Sequence, residues 1–254
     1  MKLTAKNYYS PAANMAYWSA SFVKGMMDCP ARTLAELRGE YTRPESTALL
    51  VGNYVDSYFE GKKEHDAFIR QHPEIFNSRT GELKADFKKA DEMIARCERD
   101  PVFMSYLTGK RQAIFTGEID GIPFKCKMDF YDKGKRIVDF KTVKDFAPVY
   151  SEEYGTLSFA HAWNWPLQLG IYRHLSGERI PCYLACVTKQ DPPDIAVVEV
   201  SAEDMETDMR MLRGNLPRWD AMRQGIVEPD RCEKCAYCRG TRKLTGAVPL
   251  ESFY

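Results

Sequence analysis

No stretch of the sequence approaches the roughly 20 consecutive apolar residues that a membrane-crossing helix needs, and the opening MKLTAKNYYS lacks the apolar core of a secretion signal. The expected location is therefore cytoplasmic, with no membrane partner. Net charge is missing too, since 36 basic side chains balance 36 acidic ones. That argues against coating nucleic acid by bulk electrostatics, while leaving room for a local basic site. Repeats and low-complexity linkers are absent, and so is anything resembling a base-reading helix or zinc finger. Disulfides are not expected, because the eight cysteines would sit in a reducing compartment.

What is present reads as a single domain over residues 1–254, with a helical N-terminal part (1–108) and a cysteine-rich C-terminal segment (228–254). In the first part, SASFVKGMMDC, STALLVGNYVDSYFEG and KADFKKADEMIARCERD carry helical patterns. The first is expected to stop before Pro30 and the second at Gly61; the third shows a solvated, charged face. From Arg111 to Thr142 the pattern alternates, with turn signals at Asp120-Gly121 and at Gly134, which predicts a three-stranded meander. A helix from Ser158 to Gly177 follows, kinked or broken near Pro166. Two apolar strands and a final helix complete an α/β chain with a mixed central sheet flanked by helices.

The run IVDFKT is the informative one. It is strand-like, yet Asp139 and Lys141 stand two residues apart and so share a face. A turn centred on Gly134 puts Asp129 opposite Asp139, with Lys127 beside Asp129 on the same face. Two carboxylates so close repel unless protonated or bridged by a cation, and such oxygen ligands suit Mg²⁺ or Mn²⁺. The basic residues Lys125, Lys127, Lys133, Lys135 and Arg136 surround this site, and Lys125 and Lys127 are candidates for gripping a DNA backbone. Downstream, Gln168 and Tyr172 lie four apart on one helical face; upstream, Gly52 and Asp56 do the same.

In the order GNYVD, KCKMD, VDFKT and QLGIY, these pieces resemble the PD-(D/E)XK nuclease superfamily and, within it, phage RecE-like exonucleases of the exodeoxyribonuclease VIII type. The resemblance runs from about Ser19 to Arg242. It implies a restriction-endonuclease-like core in which Asp129 and Asp139 hold metal, Lys141 orients the attacking water, and Gln168 and Tyr172 complete the catalytic set. Asp56 occupies a ligand position where many relatives have His. The implied activity is Mg²⁺-dependent (or Mn²⁺-dependent) 5′-to-3′ digestion of linear double-stranded DNA. It leaves 3′ single strands for a RecT-like single-strand annealing protein in phage-type recombination. Such relatives assemble as homo-oligomeric rings.

Cys232, Cys235 and Cys238 form C-x2-C-x2-C, one thiolate short of the four expected for structural zinc or an iron–sulfur cluster. Cys29 is the candidate fourth ligand, provided its helix packs on the C-terminal segment. Some superfamily members, among them CRISPR-associated and AddB-type nucleases, use one early and three late cysteines in this way. Reduced thiols are the other reading. Two alternatives to the exonuclease stay open: an iron–sulfur nuclease of that CRISPR or AddB type, and a non-catalytic DNA-binding module on a nuclease fold.

Overall fold

The computed structural model of the chain describes residues 1–152, 154–244 and 246–250. Its first half is helical: α1 (Pro11–Ala16), α2 (Ala20–Asp28), α3 (Pro30–Leu37), α4 (Thr47–Glu60), α5 (Lys62–Gln71), α6 (Ala85–Glu98) and α7 (Pro101–Tyr106). Strands β1 (Lys110–Ile119), β2 (Ile122–Asp132) and β3 (Arg136–Val143) follow, then the short pair β4 (Val149–Ser151) and β5 (Gly155–Leu157). The chain continues through α8 (Phe159–Ala162), α9 (Trp165–Ser176), β6 (Cys182–Thr188), β7 (Ile195–Val200), α10 (Ala202–Arg223) and α11 (Ala236–Gly240). It divides into two compact units, one of residues 1–20 and 44–214, the other of residues 21–43 and those from 215 onward.

The first unit is built on the sheet β1-β2-β3-β6-β7. Its meander forms where the turn chemistry predicts. Asp120 and Gly121 both take the left-handed backbone of a two-residue hairpin turn (φ 50° and 78°), and Gly134 supplies φ 71° at the next bend. β6 then pairs parallel to β3 and antiparallel to β7, so the sheet is mixed, as expected. A parallel neighbour requires a crossover, and the segment carrying α8 and α9 provides it.

Helix α4 is fixed at both ends by its sequence. Ser46 Oγ accepts the Leu49 N–H, and Gly61 at φ 151° closes the last turn. Its residues Leu50, Tyr54, Val55 and Phe59 bury against Phe87 and Met93 of α6, Val138 and Phe140 of β3, and Val187 of β6. The charged face expected on α6 is therefore one half of a helix whose other half is core.

The break in the helix from Ser158 to Gly177 falls at Asn164, which adopts φ 52°. Pro166 sits in the first turn of α9, where a missing N–H leaves nothing unpaired. Five features lie outside the sequence expectation: α1, α5, α7, α11 and the hairpin β4–β5. A sixth is α3, because Pro30 ends one helix and also opens the next at its first position. The second unit contains α3, α11, most of α2 and the C-terminal part of α10.

Candidate active site

Alternation along β3 sends Val138 and Phe140 into the core with α4 and turns Asp139 and Lys141 toward α9. Asp139 is 1% exposed, and its carboxylate is held from two directions. Lys141 Nζ lies 2.5 Å from Oδ2. From α9, Gln168 Nε2 is 3.0 Å from Oδ1 and 3.1 Å from Oδ2, and 2.9 Å from the Tyr172 hydroxyl. The spacing of Gln168 and Tyr172 thus places both on the face of α9 that looks onto Asp139.

Asp129 lies where the ladders on both sides of β2 lapse. Pairing with β3 ends at Phe130–Val138, one step short of Asp129–Asp139, so the register is the one the Gly134 turn predicts while the backbone bonds are not. The Phe140 N–H donates instead to Asp129 Oδ2 at 2.9 Å. On the β1 side, pairing skips from Arg111–Phe130 to Ala113–Met128. The skipped residue, Gln112, adopts φ 50° in mid-strand, and its Nε2 donates to Asp129 Oδ1 at 3.3 Å. Nothing in its type marks Gln112 in the sequence. Its position does, because 112 and 129 are symmetric about the Asp120-Gly121 turn.

Asp56 of α4, with Phe59, Glu60, Gln112, Asp129 and Phe140, lines a small cleft. Its Oδ1 is buried without a hydrogen-bond partner, as is Gln112 Oε1. Burial, opposed by Lys141 and reinforced by Asp139 and Glu60, pushes the Asp56 carboxyl up to about 7. Burial and then the neighbouring Asp139 push Asp129 well above the usual carboxylate range. Lys141 is driven the other way: burial favours its neutral form, but Asp139 and Asp129 outweigh that and hold the ammonium charged. Asp56, Asp129 and Asp139 together carry more carboxylate than Lys141 can neutralise, and Asp56 presents an orphaned oxygen. Those are the properties of a pocket that accepts a hard divalent cation.

The two basic candidates separate. Lys125 is buried, and its ammonium is spent on the Tyr8 carbonyl and on Asn14 Oδ1 (2.7 Å), with the Tyr8 ring 4.5 Å away. It ties the N-terminal segment to β2, which corrects the expectation that it grips DNA. Lys127 is half-buried, 4.8 Å from the centre of the Tyr9 ring, and its charge acts on both Asp56 and Glu60. In the second unit, the ligand atoms of Cys29, Cys232, Cys235 and Cys238 lie within 4.8 Å of one another, so the fourth cysteine is the one the sequence suggested. None of the eight cysteines is in a disulfide.

Two acids and a lysine on adjoining strands, backed by a Gln/Tyr helix, define a site of the PD-(D/E)XK type. The chain belongs to the family described as "PDDEXK-like domain of unknown function", which it matches over residues 19–241. The crystal structure of a "Putative exonuclease" from Eubacterium rectale superposes with a TM-score of 0.95 at 40% identity, covering 100% of this chain and 98% of that one. A second solved structure, that of SSO0001, has a TM-score of 0.32 and 16% identity over 76% of this chain and 85% of that chain, too low to bear on the fold. No curated protein matches the chain.

Proposed function

We propose that this chain is a metal-dependent exonuclease of linear double-stranded DNA. Asp129, Asp139 and Asp56 would hold Mg²⁺ or Mn²⁺. The observation that carries this reading is the crowding of buried Asp139 and half-buried Asp129 and Asp56 around Lys141, with Asp56 Oδ1 left without a partner. A bound divalent cation supplies a water made acidic enough to attack and a counter-charge for the phosphate.

The side chains do the rest. Lys141 stays charged beside Asp139, so it offers N–H donors and positive charge where an attacking water and a phosphate oxygen would meet. Gln168 fixes the orientation of the Asp139 carboxylate and draws the Tyr172 hydroxyl to it; Gln112 does the same for Asp129. Lys127 stands near enough to the acids to pair with a backbone phosphate without reading sequence.

The Eubacterium rectale relative carries the name "Putative exonuclease", and the motif order is RecE-like. On those grounds we extend the reading to 5′-to-3′ resection that leaves 3′ single strands for a RecT-like annealing partner in phage-type recombination. It would be carried out in the cytoplasm by a homo-oligomeric ring, with residues 1–254 forming one nuclease domain.

Two substitutions test the assignment by failing for different reasons. Asp139→Asn should abolish cleavage and weaken Mn²⁺ binding in calorimetry about tenfold or more, since it removes a charged ligand. Lys141→Ala should also abolish cleavage yet bind Mn²⁺ as well as wild type or better. Intact cleavage in both variants, with equal metal affinity, refutes the reading.

A further inference from the structure

Residues 1–20 belong to the first unit and run alongside β2, where Trp18 pairs with Phe124. They contain no acid, although the chain averages about one acid in every seven residues, and they expose Lys2 and Lys6. In a chain of zero net charge this is a locally basic segment. Its attachment to the strand is specific. The Trp18 N–H donates to the Pro123 carbonyl and the Lys125 N–H to the Trp18 carbonyl, both at 2.8 Å. The Lys125 ammonium, on a side chain only 2% exposed, bonds the Tyr8 carbonyl and Asn14 Oδ1. Burying a lysine is costly, and what this one holds is the backbone of the residue before Tyr9.

Tyr8 turns its ring into the fold and is 6% exposed, whereas Tyr9 turns outward and is 67% exposed. The two rings meet edge to face, with centroids 4.8 Å apart and planes at 85°, which braces the outer ring without covering it. The Lys127 ammonium lies 4.8 Å from the Tyr9 centroid and 6.0 Å from that of Tyr8. Alternation along β2 puts Lys127 on the face of Asp129, and its charge acts on Asp56 and Glu60, which line the acid cleft with Asp129. An exposed, braced aromatic ring and an ammonium therefore stand side by side next to the acids. A nucleotide presents the matching pair, a flat base and a phosphate. A base whose phosphate is drawn into the acids loses a stacking neighbour, and an aromatic ring can replace that neighbour whatever the sequence.

We propose that Tyr9 and Lys127 form a nucleotide subsite on the DNA strand being cut. The ring stacks on a base, the ammonium pairs with its phosphate, and Lys125 holds the N-terminal segment in place. The choice of DNA as ligand rests on the nuclease reading, while Tyr9 itself lies outside the acid motif.

Binding is measured with the full chain in EDTA, by the anisotropy of a labelled oligothymidylate and of an abasic strand of equal length. Wild type should bind the thymidine strand about tenfold more tightly than the abasic one. Tyr9→Ala should erase that preference while binding the abasic strand as wild type does, which also shows that the variant is folded. Tyr9→Trp should keep the preference. Lys127→Ala should weaken both strands and lower the slope of log affinity against log salt by about 0.7. In Mg²⁺, Tyr9→Ala should raise KM for linear duplex about tenfold with kcat within about twofold, because the ring touches a base and not the reacting phosphate. A wild type without the thymidine preference overturns the subsite. So does a Tyr9→Ala chain that keeps the preference or loses affinity for both strands alike. A preference that vanishes in Tyr9→Ala, in a protein that cuts nothing in Mg²⁺ or Mn²⁺, supports the subsite and removes the nuclease reading, so the two fail separately.

Discussion

Asp56, as a proposed metal ligand, would couple metal, protons and stability. In the metal-free fold its carboxyl is raised to about 7, against about 3.9 in an unfolded chain. Between those values the folded state keeps a proton that the unfolded state has lost. The stability of the metal-free protein therefore falls as pH rises from about 4 to 7, and the similarly raised Asp129 acts in the same direction. Thermal unfolding in EDTA should give a lower midpoint at pH 8 than at pH 5, with a shallower decline in Asp56→Asn. Added Mg²⁺ should restore more stability at pH 8 than at pH 5, because at the lower pH it must displace the proton. Equal slopes for wild type and Asp56→Asn would show that Asp56 does not carry the effect. Gln112 makes the complementary case. Left-handed backbone in a non-glycine residue costs about 1 kcal/mol or more, and here the amide it positions bonds Asp129. Gln112→Gly should leave urea stability unchanged or raise it by about 1 kcal/mol while slowing cleavage about tenfold or more. Undiminished cleavage would leave the strain without a catalytic purpose.

At the level of elements, α9 is held between two surfaces. Gln168 and Tyr172 meet the sheet, and Gly170, on the other side, faces α10. A Cβ on Gly170 would lie 2.9 Å from Met209 Cγ and 3.1 Å from the Met205 carbonyl oxygen. Gly170→Val should cost about 1–3 kcal/mol in denaturant unfolding, and Met209→Ala in the same chain should recover part of it. No recovery would mean that the two helices do not meet as described. This packing also explains what could be read from the sequence. The meander, its register and the Gln/Tyr helix were legible because two-residue turns and alternation are local signals, and residue numbers then add across a hairpin. The lapse of pairing around Asp129 was not legible, since it depends on which side chains take over backbone N–H groups. Nor was the fate of Lys125. In the sequence it is one more basic residue beside Lys127; in the fold, Tyr8 and Asn14, more than a hundred residues earlier, take its ammonium. Helices α5 and α7 are not legible because α5 has few apolar residues and α7 is only six residues long, so neither shows a helical repeat, and neighbouring core stabilises them more than propensity does.

In the molecule taken whole, the four clustered cysteines belong to the second unit and the aspartates of the candidate site to the first. Among the described residues no helix is long and apolar enough to cross a membrane. The neutral total charge also leaves DNA binding to local groups rather than to the bulk field. The central claim is that the acids crowded around Lys141 make this protein a metal-dependent exonuclease. The most direct measurement is to incubate the purified protein with end-labelled linear duplex and with covalently closed circular duplex, in Mg²⁺ and in EDTA, with Lys141→Ala alongside. The account predicts mononucleotide or short products from the linear DNA in Mg²⁺ alone, with the circle intact and the variant inactive. Cleavage of the linear DNA that persists in EDTA or in Lys141→Ala, or none by wild type in Mg²⁺ or Mn²⁺, would contradict it.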